Sequence, residues 1–116
     1  MTEAEFLEAL RALPLHPAAR GLTDDAAVLP AGTTPATVLT SDLLVEGVHF
    51  LSDDPADTVA WKLLATNLSD LAAKGATPVG VLLGYPLGDD GWDRAFLAGL
   101  ATALSQFDCP LLGGDT

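Results

Sequence analysis

Basic residues are scarce in this sequence. Five Lys and Arg stand against 16 Asp and Glu, a formal charge of −11 over 116 residues. A phosphate backbone is bound by clustered Lys and Arg, so nucleic acid is excluded as a partner. Cysteine is nearly absent too. Cys109 stands alone, so it has no intrachain partner and fits a reducing cytoplasm. It reads as a small buried hydrophobe. No apolar run approaches the roughly 20 residues that cross a membrane, which argues against a membrane protein. Met1-Thr2-Glu3-Ala4-Glu5 is acidic and does not read as a signal peptide. Neither the P-loop pattern nor GxGxxG occurs, so a nucleotide has to be held mainly through metals.

What is present is sufficient for a core. Apolar residues make up 49% of the chain, and the length suits one domain. The surplus of acid serves either solubility or the binding of cations, and position along the chain must decide. The last residues, Leu111-Leu112-Gly113-Gly114-Asp115-Thr116, look like a strand feeding a functional loop. Residues 1–116 therefore read as a single N-terminal domain taken from a longer protein.

The local signals alternate between helix and strand. Thr2 with Glu5 forms a capping box for a first helix carrying Phe6, Leu7, Leu10 and Leu13, which Pro14 and Pro17 end. His16 follows as a solvated loop residue. Short strands are expected at Ala26–Leu29, Thr37–Thr40 and Val48–Leu51, the first two joined as a hairpin through the turn of residues 30–35. Ser52-Asp53-Asp54-Pro55 starts the longest helix, running to Lys74, and explains its acids as caps. Val79–Leu87 reads as a buried strand. Asp89-Asp90 caps a helix with Trp92, Phe96, Leu100 and Leu104 on its core side. The expectation is an α+β domain with a mixed or antiparallel sheet of about four strands, covered by helices.

Four acidic patches sit at element ends or on a helix face. They are Asp24-Asp25, Thr40-Ser41-Asp42, Asp70 and Gly113-Gly114-Asp115. Asp24 and Asp25 are either solvated caps or metal ligands. Asp70 shares a helix stripe with Asn67 and Lys74; it either pairs with Lys74 or points into a cation site. If the four patches converge, something positive must offset their repulsion. Hard oxygen donors select Mg²⁺ or Ca²⁺ over zinc. Gly113-Gly114 lets backbone N–H groups approach a phosphate.

The order of the motifs adds to this. Thr23-Asp24-Asp25-Ala26-Ala27-Val28 comes first, then Thr40-Ser41-Asp42-Leu43-Leu44-Val45-Glu46-Gly47-Val48-His49-Phe50. Trp61-Lys62 follows, with Asn67-Leu68-Ser69-Asp70-Leu71-Ala72-Ala73-Lys74-Gly75 after it, and Leu112-Gly113-Gly114-Asp115-Thr116 ends the series. Over about residues 20 to 116 the chain closely resembles the thiamine-monophosphate kinase family, within the aminoimidazole-ribonucleotide synthetase-like ATP-binding superfamily. The resemblance implies transfer of the ATP γ-phosphoryl group to thiamine monophosphate, with several Mg²⁺ ions. It implies metal ligation by Asp25, Thr40, Ser41, Asp42, Asp70 and Asp115. It implies ATP contacts from Gly114 and Asp115, a substrate contact from His49, and no side chain acting as nucleophile or general base. It also implies a homodimer paired through the sheet. The family usually has glycine where this chain has Thr23. Its chains continue past Gly-Gly-Asp-Thr with an ATP-contacting arginine and a C-terminal domain, so this stretch alone is expected to be inactive. The competing readings are a sister enzyme such as selenophosphate synthetase, and a non-catalytic acidic module that binds cations.

Overall fold

A computed structural model of the chain describes residues 1–23, 26–32 and 36–116. In order, the elements are α1 (Glu3–Arg11), a 3-10 segment (Pro17–Leu22), α2 (Ala56–Ala73), β1 (Val81–Gly84), α3 (Asp90–Gln106) and β2 (Leu111–Asp115).

α1 and α3 start where the sequence provides a side-chain cap, and α2 starts without one. The Thr2 hydroxyl accepts from the Glu5 N–H at 3.2 Å, and the Glu5 carboxylate accepts from the Thr2 N–H at 2.6 Å. This reciprocal pair satisfies two donors that the helix leaves open. Asp89 caps α3 by accepting from the Trp92 N–H at 3.2 Å. α2 differs slightly from expectation: Pro55 is its cap and Ala56 its first residue. The Asp54 carboxylate turns back to accept from the Leu51 N–H at 2.7 Å. His16 is half-buried, not solvated, and its Nδ1 accepts from the Ala18 N–H at 2.9 Å.

The sheet is smaller than the sequence suggests and runs the other way. Among the described residues it has two strands, β1 and β2, and they are parallel. A mixed or antiparallel sheet of about four strands is not what forms. The direction follows from α3. Its 17 residues carry the chain from β1 back to the same end of the sheet, the crossover that parallel pairing requires. Leu15 adds a single parallel bridge to Leu111 on the far side of β2. Among the described residues the other expected strands do not form. Ala26–Leu29, Thr37–Thr40 and Val48–Leu51 lie outside any ladder, and Leu39, Val48 and Leu51 are 88%, 74% and 62% exposed. An apolar, β-branched run predicts strand tendency, not the presence of a partner edge.

The core lies between α1, α2, α3 and the sheet. Phe6, Leu10, Ala60, Leu64, Phe96, Leu100, Leu104 and Leu111 are buried in it. Phe6 stacks on Tyr85 at 4.8 Å, and Tyr85 packs on Phe96 at 4.5 Å. Gly99 brings α3 against α2. A Cβ there would lie 2.4 Å from the Asp57 Cα, so no larger residue fits at this crossing. Cys109 is buried as expected, and burial, with the Asp108 charge adding to it, pushes its thiol up. That leaves it unreactive.

One buried acid was not foreseen. Asp93 in the first turns of α3 has no exposed surface. Its carboxylate accepts from the Tyr85 hydroxyl at 2.7 Å and from the Gly88 N–H at 3.2 Å. These bonds compensate its removal from water and pin the turn between β1 and α3. Burial, then the hydrogen bond to Asp93 and its charge, push the Tyr85 hydroxyl above its usual range. Tyr85 is the only tyrosine, so tyrosinate absorbance reads this group alone. The folded state holds the proton more tightly than the unfolded state does. Stability from this pair is therefore full below about pH 10, the ordinary tyrosine value, and is lost as the pH rises from there towards the raised folded value. We expect Tyr85 to resist ionisation above pH 10 until the chain unfolds, and to titrate lower in Asp93→Asn. Reversible ionisation near pH 10 in the folded protein would contradict the pairing.

Candidate active site

The segment from Ala36 to Leu51 carries half of the candidate site residues, and α2 holds it. The two run in opposite directions. The Thr40 hydroxyl donates to Asp70 Oδ2 at 3.3 Å. Two residues on, the Asp42 N–H donates to Asn67 Oδ1 at 2.9 Å, and Asn67 Nδ2 donates to the Asp42 carbonyl at 3.4 Å and to the Leu63 carbonyl at 2.9 Å. Further along, Lys62 Nζ donates to the His49 carbonyl. An extended segment with no sheet partner must still satisfy its peptide groups, and side chains of α2 supply part of that here.

Residues 45–50 form a tight turn. The His49 and Val48 N–H groups donate to the Val45 carbonyl at 2.8 and 3.1 Å, and the Gly47 N–H donates to the Phe50 carbonyl at 2.7 Å. His49 Nδ1 accepts from the Val45 N–H at 2.9 Å. In the neutral ring the proton then sits on Nε2, which makes Nε2 a donor. His49 is exposed, so that donor is open to a ligand. Phe50 stacks on Trp92 of α3 at 5.9 Å, anchoring the turn from its other end.

Asp115 and Gly114 lie at the C-terminal end of β2. Gly84 pairs with Asp115, and the Asp115 carbonyl accepts from the Tyr85 N–H at 2.9 Å. The carboxyl ends of parallel strands are where open α/β sheets place their ligands. Gly114 is needed for its lack of a side chain: a Cβ there would sit 2.2 Å from the Leu83 carbonyl oxygen.

Of the residues predicted from the sequence, the structure joins Thr40 to Asp70 and ties Asp42 to the same helix. Asp70 accepts from Thr40 and, among the described residues, makes no ion pair with Lys74. Ser41 is exposed beside them. Among the described residues, no three acidic, imidazole or thiol side chains gather into a metal-holding group, and Asp115 makes no hydrogen bond or ion pair with Thr40 or Asp70. Asp25, like Asp24, lies outside the described residues. Thr23 adopts φ −97°, a conformation open to any residue, so threonine sits there without strain. The donor set suits Mg²⁺, which takes one or two carboxylates and completes its shell with water and phosphate oxygens. Sequence reasoning missed Asn67 and Lys62 as structural partners. Both stood in the motifs that carry the family resemblance, and Asn67 on the Asp70 stripe, but nothing local gave them Asp42 and His49 as partners.

Residues 23–116 match the family model described as AIR synthase related protein, N-terminal domain, and the chain belongs to that family. Its relatives narrow the likeness further. It is 53% identical to the thiamine-monophosphate kinase of Caulobacter vibrioides over 103 residues, 86% of this chain and 29% of that protein. It is 46% identical to the thiamine-monophosphate kinase of Synechococcus elongatus over 79% of this chain and 29% of that protein. It is 44% identical to that of Escherichia coli over 83% and 30%. The chain thus spans a little under a third of the length of these relatives.

Gly114→Ala is expected to destabilise the protein by about 1–3 kcal/mol, the usual range for forced overpacking. Gly113→Ala meets only Leu82 Cδ2 at 3.6 Å and should cost far less. Urea unfolding of both variants checks this. Equal stabilities would show that the β1 backbone yields at Leu83.

Proposed function

We propose that the complete protein carrying this chain transfers the γ-phosphoryl group of ATP to thiamine monophosphate, giving thiamine diphosphate and ADP. Residues 1–116 are read as its N-terminal, ATP- and Mg²⁺-binding domain, inactive by themselves. The observation that carries this reading is the identity of up to 53% with named thiamine-monophosphate kinases, running through the segment that α2 holds. The short span of the match supports a longer two-domain protein. A cytoplasmic location fits the use of ATP and the single reduced, buried cysteine.

The chemistry suits the residues. A phosphate oxygen of thiamine monophosphate forms a bond to the γ-phosphorus, and the bond from that phosphorus to the β,γ-bridging oxygen breaks, its electron pair leaving with ADP. The acceptor is already an anion near neutral pH and needs no general base. The transfer is direct and in line, with no phosphorylated side chain. Mg²⁺ ions, when bound, offset the repulsion between the two phosphates and the charge on the leaving oxygen. Asp25, Thr40, Ser41, Asp42, Asp70 and Asp115 are the oxygen donors assigned to them. Gly114 exposes backbone to ATP beside Asp115. His49, with its Nε2 proton outward, donates to the phosphate of thiamine monophosphate.

The same reading includes a homodimer. Leu39, Leu43, Val45, Val48 and Leu51 are all more than half exposed on one segment. That is the kind of apolar surface a second copy covers. Sedimentation of the complete protein should give a dimer, and Leu39→Glu with Leu43→Glu should give monomers. A wild-type monomer would assign this surface to another part of the protein.

The activity test uses the complete protein with ATP, Mg²⁺ and thiamine monophosphate. Thiamine diphosphate should form, disappear with EDTA, and fall by at least about a hundredfold in Asp42→Asn, at the upper end of what disturbing a metal site costs. Binding of ATP without product would redirect the assignment to the sister synthetases. Cation binding without ATP binding would favour the acidic module.

A further inference from the structure

Two α2 side chains grip different parts of the candidate site. Asn67 bonds both the N–H and the carbonyl of Asp42, and is itself held by the Leu63 carbonyl. Its amide fixes the two peptide units that flank the Asp42 Cα, and with them the direction in which the Asp42 side chain leaves the backbone. Lys62 bonds the His49 carbonyl, inside the turn that His49 Nδ1 closes on Val45. The two contacts are separate in sequence and share no partner. Neither side chain is among the residues expected to touch ATP, metal or substrate.

We propose that Asn67 and Lys62 are positioning residues with separable effects: Asn67 sets the cation-holding segment Thr40–Asp42, and Lys62 sets the His49 turn. The inference rests on the functional reading above for what each part binds, and on the hydrogen bonds alone for what holds it. Groups that orient a metal ligand typically change metal affinity 10–100-fold when removed. A group that orients only the substrate contact changes KM instead.

The test compares the complete wild-type protein with Asn67→Leu, Lys62→Met and Lys62→Gln, all checked for folding by their melting curves. If Asn67→Leu does not fold, Asn67→Ala takes its place. Mn²⁺ binding is read from the signal of the free ion. Asn67→Leu should weaken it about tenfold or more and release the Asp42 amide to hydrogen exchange. Lys62→Met should leave Mn²⁺ binding unchanged, free the Val45 amide, and raise the KM for thiamine monophosphate about tenfold. Lys62→Gln keeps a donor for the His49 carbonyl and should recover most of that loss. Equal effects of both positions on both readouts would overturn the proposal, since α2 would then act only as a fold element. So would Gln as poor as Met at position 62, which would mean that the lysine charge itself binds substrate. So would a wild-type protein without Mn²⁺ binding or without a protected Asp42 amide. A wild-type protein that binds Mn²⁺ but turns over no thiamine monophosphate sinks the functional reading alone, and the Mn²⁺ and exchange measurements still decide the positioning.

Discussion

The hydrogen bonds between α2 and residues 40–49 are the constraint on which the site depends. In a sheet, an extended segment satisfies its peptide groups through a ladder and buries one face against a core. Here the segment has neither. Its apolar side chains are exposed, and its fixed points are Asp70 on Thr40, Asn67 on Asp42 and Lys62 on His49. Each is a modest interaction, about 0.5–1.5 kcal/mol for an ordinary hydrogen bond and more where a charge takes part. Their value lies in direction: a cation or phosphate site needs its oxygens aimed, and a segment held at residues 40, 42 and 49 has little freedom to turn.

That clamp in turn needs a rigid helix beneath it. α2 is rigid because α3 packs closely on it at Gly99, and α3 is set by the turn that Asp93 closes through Tyr85 and Gly88. A buried carboxylate at one end of the domain therefore supports, through two helices, an exposed acidic segment elsewhere. The two kinds of acid have opposite environments. Asp93 is enclosed and has its partners. Asp42, Asp70 and Asp115 are exposed, where water and ligands can reach them.

The helices were legible because their signals are local. A capping box at Thr2 and Glu5, an aspartate at 89 and a proline at 55 each act within one turn. The sheet was not, because Val38-Leu39 and Val48 carry strand propensity whether or not an edge lies beside them. The parallel direction of β1 and β2 was open to inference from the helix between them, but the apolar run at 79–87 hid it by suggesting a longer strand. For the site, the residue types and their order were readable, and so was the likeness to a kinase family. The docking was not. Thr40 and Asp70 are 30 residues apart and Asp42 and Asn67 are 25 apart, and no periodicity links such positions. Asp93 was hidden for another reason: an aspartate in the first turns of a helix already has a sufficient explanation in the dipole.

The long reach of these contacts also bears on the order of assembly. β1, α3 and β2 are consecutive and can close on one another early, since short loops are the least costly to close. Residues 36–51 dock only on a helix that already exists. Held by a few exposed hydrogen bonds and with most of their apolar side chains exposed, they have the features of a low-stability unit on a firmer base. Ligands that require the docked form then stabilise it by mass action. A ligand that needs the docked form would then draw on the same equilibrium as local unfolding.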